Sequence, residues 1–261
     1  MTLRKSPPAT GSETDPLHAR ARALRLVGLL AHWEDVAQAV WVPRLLQWEE
    51  DARSHNSMER RFRRSNIGAF KPIADFDWAW PKLCDRPAIE ELLTLQFMAE
   101  RANAVLIGPN GIGKSTIARN IAYQALCAGH TVLFVEAAAM LGELAGIDSA
   151  SALQRRLRHY ASFDLLCIDE VGYLSYSNQH ADLFFELTNR RYERKSTIVT
   201  TNRAFSQWHE VFPNAACVVS LIDRLIHNAE VTALEGESYR LKEATERSAK
   251  RKERRNAGTR K

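Results

Sequence analysis

Eight consecutive residues, Gly108-Pro109-Asn110-Gly111-Ile112-Gly113-Lys114-Ser115, follow the G-x-x-x-x-G-K-[ST] spacing. That pattern makes a loop whose backbone wraps phosphate. Its glycines reach conformations that turn successive amides inward around anionic oxygen. Lys114 would reach the β- and γ-phosphates of a nucleoside triphosphate, and the Ser115 hydroxyl would ligate Mg2+. The flanks suit the motif. The apolar run Ala104-Val105-Leu106-Ile107 precedes it as a strand, and a helix is expected from Thr116 to Ala128. That helix would present its positive end and unpaired amides to the anion.

A second group of chemically apt residues comes roughly 55 residues later, where the apolar strand Leu165–Asp169 runs into Glu170. In open α/β sheets, ligands collect at the carboxyl ends of the strands. Asp169 would therefore hold Mg2+, directly or through water. Glu170 would polarise the attacking water. A third strand, Thr197–Thr200, leads through Thr201 to Asn202, whose amide could reach the γ-phosphate or that water; an Asn at a strand end also serves as a plain turn residue. Arg224 lies on an expected helix from Val218 to His227. It is either a cation supplied to a neighbouring subunit's nucleotide or one half of a surface ion pair. Arg240 is a second cation that could sense the nucleotide in its own chain.

The elements that must position these groups alternate from Ala104 onward. Strands are expected at Ala104–Ile107, Thr131–Val135, Leu165–Asp169, Thr197–Thr200 and Glu230–Leu234, with helices between. Alternation of this kind predicts an α/β fold with a parallel sheet and helices on both faces. Ahead of it, residues 17–86 read as a small helical domain, with helices from Leu17 and from Val36 to about Arg53. A further helix from Pro87 to about Arg101 leads into a nucleotide domain at 87–244. Residues 1–16 are rich in Pro, Ser, Thr and Gly and are expected to be disordered. Residues 245–261 form a basic tail that either solubilises the chain or binds phosphate.

The net charge is +5, a modest excess, so its distribution matters more than its sum. Arg60, Arg61, Arg63 and Arg64 cluster, and Phe76, Trp78 and Trp80 follow. Arginines interleaved with aromatics can bind nucleic acid. Asp75 and Asp77 flank the rings, which favours docking between domains for them and phosphate contact for the arginines. Arg155, Arg156 and Arg158, on an expected helix before the Asp169 strand, are candidate phosphate ligands or a solvated face. Cys84, Cys127, Cys167 and Cys217 show no C-x-x-C spacing, which argues against a zinc or redox pair; Cys127 and Cys167 are expected to be buried. No apolar stretch reaches the ~18 residues of a membrane span. The first residues lack a signal peptide's apolar core. A cytoplasmic protein without membrane contact is expected.

Several separate stretches then combine. They are Asp169-Glu170-Val171-Gly172-Tyr173-Leu174, Leu183-Phe184-Phe185-Glu186-Leu187, Arg191 to Thr197, Thr201-Asn202 through Phe205-Ser206-Gln207-Trp208, Asp223-Arg224-Leu225-Ile226-His227 and Gly236-Glu237-Ser238-Tyr239-Arg240. In this order, over roughly residues 20–245, they resemble the IstB family. These are AAA+ ATPases encoded beside insertion-sequence transposases and related to the DnaC-type helicase loaders. The resemblance implies ATP and Mg2+ as ligands, with Gly108 to Thr116 cradling phosphate. It implies an ATP-dependent homo-oligomer on duplex DNA that recruits and stimulates a cognate transposase. It implies Lys114 and Ser115 as the Walker A pair, Asp169 and Glu170 as Walker B, and Asn202 as sensor 1. Arg224 matches the trans-acting arginine and Arg240 the sensor 2 position. Pro109-Asn110-Gly111-Ile112 departs from the family's usual Pro-x-Gly-Thr or Pro-x-Gly-Val, and the basic tail lies outside the stretch that aligns. A loader of a replicative helicase shares the same core and remains the alternative. A small-molecule kinase would need an acceptor lid that no segment supplies. A DNA-binding module that binds ATP but barely turns it over is the remaining reading.

Overall fold

The computed structural model describes residues 15–173, 176–213 and 216–258. Residues 1–14, Leu174, Arg260 and Lys261 lie outside the described residues, as do the side chains of Lys250, Lys252, Arg254 and Arg255. Contacts divide the chain into one unit up to Arg60 and a second from Arg61.

In the smaller unit, α1 (Pro16–Ala23) starts where Asp15 Oδ1 accepts the Leu17 amide at 2.9 Å, with proline in the first turn. Arg25, at φ +52°, separates it from α2 (Val27–Ala31), and α3 (Trp33–Val36) follows. Ala21, Leu24, Trp33, Val42 and Leu46 form the core. Arg20 grips Glu50 with two bonds, at 2.8 and 2.7 Å. The helix expected from Val36 begins instead at Val42: α4 spans Val42–Ser65, with Pro43 in its first turn, where a missing amide costs nothing. The pairs Arg53–Glu49 and His55–Glu59 support its exposed stretch at i,i+4 spacing.

The larger unit is a six-stranded sheet in the order β1-β6-β2-β5-β4-β3. Its strands are β1 (Leu83–Cys84), β2 (Asn103–Ile107), β3 (Val132–Glu136), β4 (Leu165–Val171), β5 (Ser196–Thr201) and β6 (Ala229–Glu235). All pairings are parallel except β1 with β6. Successive side chains point to opposite faces. Val105 and Val199 therefore enter one core, beneath α8 (Ala137–Ala145), α9 (Ala150–Ser162), α10 (Asn178–Arg191), α11 (Trp208–Val211) and α12 (Val218–Ile226). Ala104, Leu106 and Ile198 enter the other, beneath α5 (Arg86–Leu93), α6 (Gln96–Ala99) and α7 (Lys114–Cys127). The last helix is α13 (Tyr239–Gly258). No helix among the described residues is long and apolar enough to cross a membrane.

Several expectations change. The domain boundary drawn at 86/87 moves to Arg60/Arg61, because Phe62, Phe70, Ile73, Phe76, Trp78 and Trp80 pack against the sheet's second core. The aromatics thus belong to the larger unit itself. The segment after α4 is a strap pinned to α7: Asn120 binds the Lys71 carbonyl at 2.9 Å and the Ile73 amide at 2.8 Å, and Arg119 binds the Ile67 carbonyl at 2.6 Å. The strap ends as β1, an antiparallel edge strand too short to show a period. The helix expected over 87–101 breaks at Leu95, φ +66°, where the Thr94 hydroxyl takes up the Glu91 carbonyl and the Gln96 amide. Cys167 is buried as expected, but Cys127, at the end of α7, is exposed.

Candidate functional site

At the carboxyl end of β2 the chain passes so close to β6 that a Cβ at residue 108 would collide with the Leu234 carbonyl oxygen; only glycine fits. Gly113, at φ +113°, caps α7 without a side-chain acceptor, and a Cβ there would lie 2.6 Å from the Phe76 ring. The first amides of α7 are thus left for an anion. Lys114 is 7% exposed, and its Nζ donates to the Gly108 and Pro109 carbonyls at 2.6 and 2.8 Å. Burial pushes its pKa down to about 8, with Arg240 adding to the effect and Asp169 and Glu170 opposing it.

β4 brings in the carboxylates. Ser115 Oγ donates to Asp169 Oδ1 at 2.9 Å, joining residues 54 apart in sequence. The β4–β5 register shifts between Ile168 and Val171, and Glu170 sits inside that irregularity at φ +61°. Such bulges re-aim a side chain. Glu170 is exposed at the cleft, while Asp169 is 4% exposed. Asn202, just past β5, lines the same cleft, and its Oδ1 is buried with no hydrogen-bond partner among the described residues. Arg240, in the first turn of α13, lines it too. The cleft encloses about 560 Å³.

The hydroxyl of Ser115 and the carboxylate of Asp169 are hard oxygen donors already within bonding distance of each other. That pair suits Mg2+, which takes one or two protein ligands and completes its octahedron with phosphate and water.

The other wall was not anticipated. Trp80 Nε1 donates to the Glu237 carbonyl at 2.8 Å, and Lys242 pairs with Asp77 at 3.0 Å while lying 4.4 Å from the Trp80 ring. Lys71 stands 5.0 Å from the Tyr239 ring. The strap and α13, at opposite ends of the unit's sequence, thus close one side of the cleft. Interleaved aromatic and basic residues were the only sequence signal for it.

Arg224 lies outside this cleft. Its guanidinium rests over Phe185 at 4.8 Å and Tyr192 at 5.8 Å and bonds Asn189 Oδ1. Among the basic candidates, Arg63, Arg64, Arg155 and Arg158 are exposed. Arg60, also exposed, bonds the Asn56 carbonyl at 3.3 Å, and Arg61 is half-buried. Arg156 is engaged within the fold: it pairs with Glu143 at 2.7 Å and lies 4.7 Å from the Tyr160 ring. That pair is itself partly exposed, with the Arg156 side chain 35% and the Glu143 side chain 44% accessible. Burial and Arg156, with a smaller push from Arg64, hold the pKa of His159 below its usual value against the opposing pull of Glu143.

Over residues 14–247 the sequence matches the family described as IstB-like ATP binding protein. A protein from Pseudomonas aeruginosa, named for ATP binding in insertion sequence IS21, is 36% identical over 198 residues, 76% of this chain and 75% of that one. One from Geobacillus stearothermophilus, named likewise for insertion sequence IS5376, is 30% identical over 246 residues, 91% of this chain and 98% of that one. The crystal structure of DnaI is similar with a TM-score of 0.53 at 19% identity, covering 66% of this chain and 90% of that one. At that identity the likeness speaks for the fold alone, a mostly parallel sheet with helices on both faces.

Proposed function

Because the chain belongs to the family of IstB-like ATP binding proteins, we propose that it is an ATPase that assembles with ATP on duplex DNA and there engages its transposase. The observation that carries the catalytic part is the Ser115–Asp169 bond at 2.9 Å, which joins the phosphate loop to the carboxylate-tipped β4. The loop from Gly108 to Thr116 would hold the phosphates. Lys114 would leave its two carbonyls for the β- and γ-oxygens, regaining full charge beside them. Bound to Ser115 and Asp169, Mg2+ would neutralise charge on the phosphate oxygens. Glu170 would accept a proton from the attacking water, Asn202 would orient it, and Arg240 would register the γ-phosphate.

Arg224 lies outside its own cleft and would leave Phe185, Tyr192 and Asn189 to reach the cleft of a second copy. Duplex DNA would lie along exposed arginines of α4 and α9, with Arg64, Arg155 and Arg158 as the principal contacts. Each true phosphate contact steepens the salt dependence of DNA affinity by about one log unit per log unit.

The test is ATP turnover and sedimentation with and without duplex DNA. Wild type is expected to hydrolyse ATP and to assemble when both ligands are present. Glu170→Gln should lower turnover by about a hundredfold or more while the assembly persists. A chain that stays monomeric with both ligands, or a Glu170→Gln variant with full turnover, would refute the reading. Capture of a hexameric helicase on single-stranded DNA, in place of a transposase, would make it a helicase loader.

A further inference from the structure

Thr200, near the end of β5, is 1% exposed and stands beside the Asp169 carboxylate and the Glu170 amide without lining the cleft. A threonine hydroxyl has one proton to donate and lone pairs to accept with. Here both are used on adjacent residues of β4. The proton goes to Asp169 Oδ1. A lone pair accepts the Glu170 amide at 2.9 Å.

Each bond has a consequence. Asp169 Oδ1 receives two hydroxyl donors, Thr200 and, at 2.9 Å, Ser115. Two donors on one oxygen fix the carboxylate plane. Glu170 is a non-glycine residue at φ +61°, a conformation that persists only where the surroundings over-determine it. The register shift between Ile168 and Val171 removes the regular ladder partner at this point. An amide left without an acceptor in a partly buried position costs stability. The Thr200 hydroxyl replaces the missing carbonyl and so stabilises the bulge that aims Glu170 at the cleft.

We infer that Thr200 is a positioning residue for the pair Asp169–Glu170: it locks one carboxylate and holds the backbone turn that presents the other. This rests on reading the cleft as an ATPase site. Valine at 200 keeps the branched shape that a strand favours and removes only the hydroxyl. Serine keeps the hydroxyl. Thr232 on β6 supplies a control, being 2% exposed with a hydroxyl that has no partner among the described residues.

Two measurements test the inference. Steady-state ATPase assays with Mg2+ titration should show Thr200→Val losing about 10- to 100-fold in kcat, with Mg2+ half-saturation raised several-fold and KM for ATP within about threefold. Thr200→Ser should return kcat to within about threefold of wild type, and Thr232→Val should leave it unchanged. Amide hydrogen exchange of the ligand-free protein should show the Glu170 amide protected in wild type and Thr200→Ser, and exchanging at least about tenfold faster in Thr200→Val. Unchanged Glu170 exchange in Thr200→Val overturns the inference, as does a kcat within twofold of wild type or a loss that Thr200→Ser fails to repair. If the wild type hydrolyses no ATP while Glu170 exchange still follows the hydroxyl, the positioning role stands and the ATPase reading falls.

Discussion

The two ends of the parallel sheet each bury a cation, and they treat it differently. At the amino ends of the strands, Arg191 is 2% exposed and saturated. It bonds the carbonyls of Tyr160, Ala161, Phe163 and Ser196, and the Thr197 hydroxyl. Beside it, Asp164 pairs with Lys195 and accepts the amide and hydroxyl of Thr131. At the carboxyl ends, Lys114 has two loop carbonyls, Glu170 sits at positive φ, and Asn202 Oδ1 has no partner among the described residues. One end uses its charged groups to hold strands together. The other keeps unsatisfied and strained groups facing a cleft, which is where binding energy can later be realised.

The contrast predicts opposite responses to removing each cation. Arg191→Met leaves four carbonyls without their donor and should destabilise the larger unit by about 3–5 kcal/mol, read by thermal or denaturant unfolding. Lys114→Met should instead leave unfolding stability equal or raised by about 1 kcal/mol at pH 7, because it removes a buried charge with few partners. ATP turnover should fall by about a hundredfold or more. If Lys114→Met unfolds the protein as Arg191→Met does, the two ends do not differ in kind.

The pH response of Lys114 follows from the sign of its shift. Its folded pKa of about 8 lies below the usual lysine value of 10.5. While protonated in both states it weighs against the fold, fully so below about pH 8, and the penalty is relieved as pH climbs toward 10.5. ATP binding should therefore weaken above pH 8 and be accompanied by proton uptake. Calorimetry in two buffers of different ionisation enthalpy measures this; no proton uptake at pH 8.5 would count against a lysine that is mostly deprotonated there.

The smallest effect is expected at the opposite end. Burial alone would raise the pKa of Asp164, but the Lys195 bond and the Thr131 bonds outweigh it and hold it at about 2. A depressed carboxylate contributes stability above its unfolded value, and that contribution is lost as pH falls from about 4 toward 2. Asp164→Asn should cost about 1–2 kcal/mol at pH 7, a figure reduced for solvent screening, and the gap to wild type should close by pH 2. A constant gap across that range would mean the aspartate's charge has no part in it.

The local motifs were legible because their physics is local. Gly108 to Ser115 encode a loop through backbone freedom and spacing, and the apolar run ending in Asp169 and Glu170 encodes a strand with carboxylates at its tip. Asn202 and Arg240 were marked by motif order, and both line the cleft. The strap was misassigned because its rings were read as joining two domains, when they cover the sheet's own second core. Arg156 looked like its neighbours Arg155 and Arg158 until Glu143 was found beside it.

Apolar runs alternating with helical stretches, glycine spacing and strand-end carboxylates were enough to specify a P-loop sheet and the edge on which its ligand sits. These depend on neighbours a few residues away, whose geometry the chain carries wherever it goes. Pairings such as Asp77 with Lys242, or Thr200 with Asp169 and Glu170, depended on folding: they link residues 165 and 31 apart. Nothing in either partner's type or spacing marks it for the other. Sheet register brings Thr200 beside Asp169 and Glu170, and the meeting of the strap with α13 brings Asp77 to Lys242.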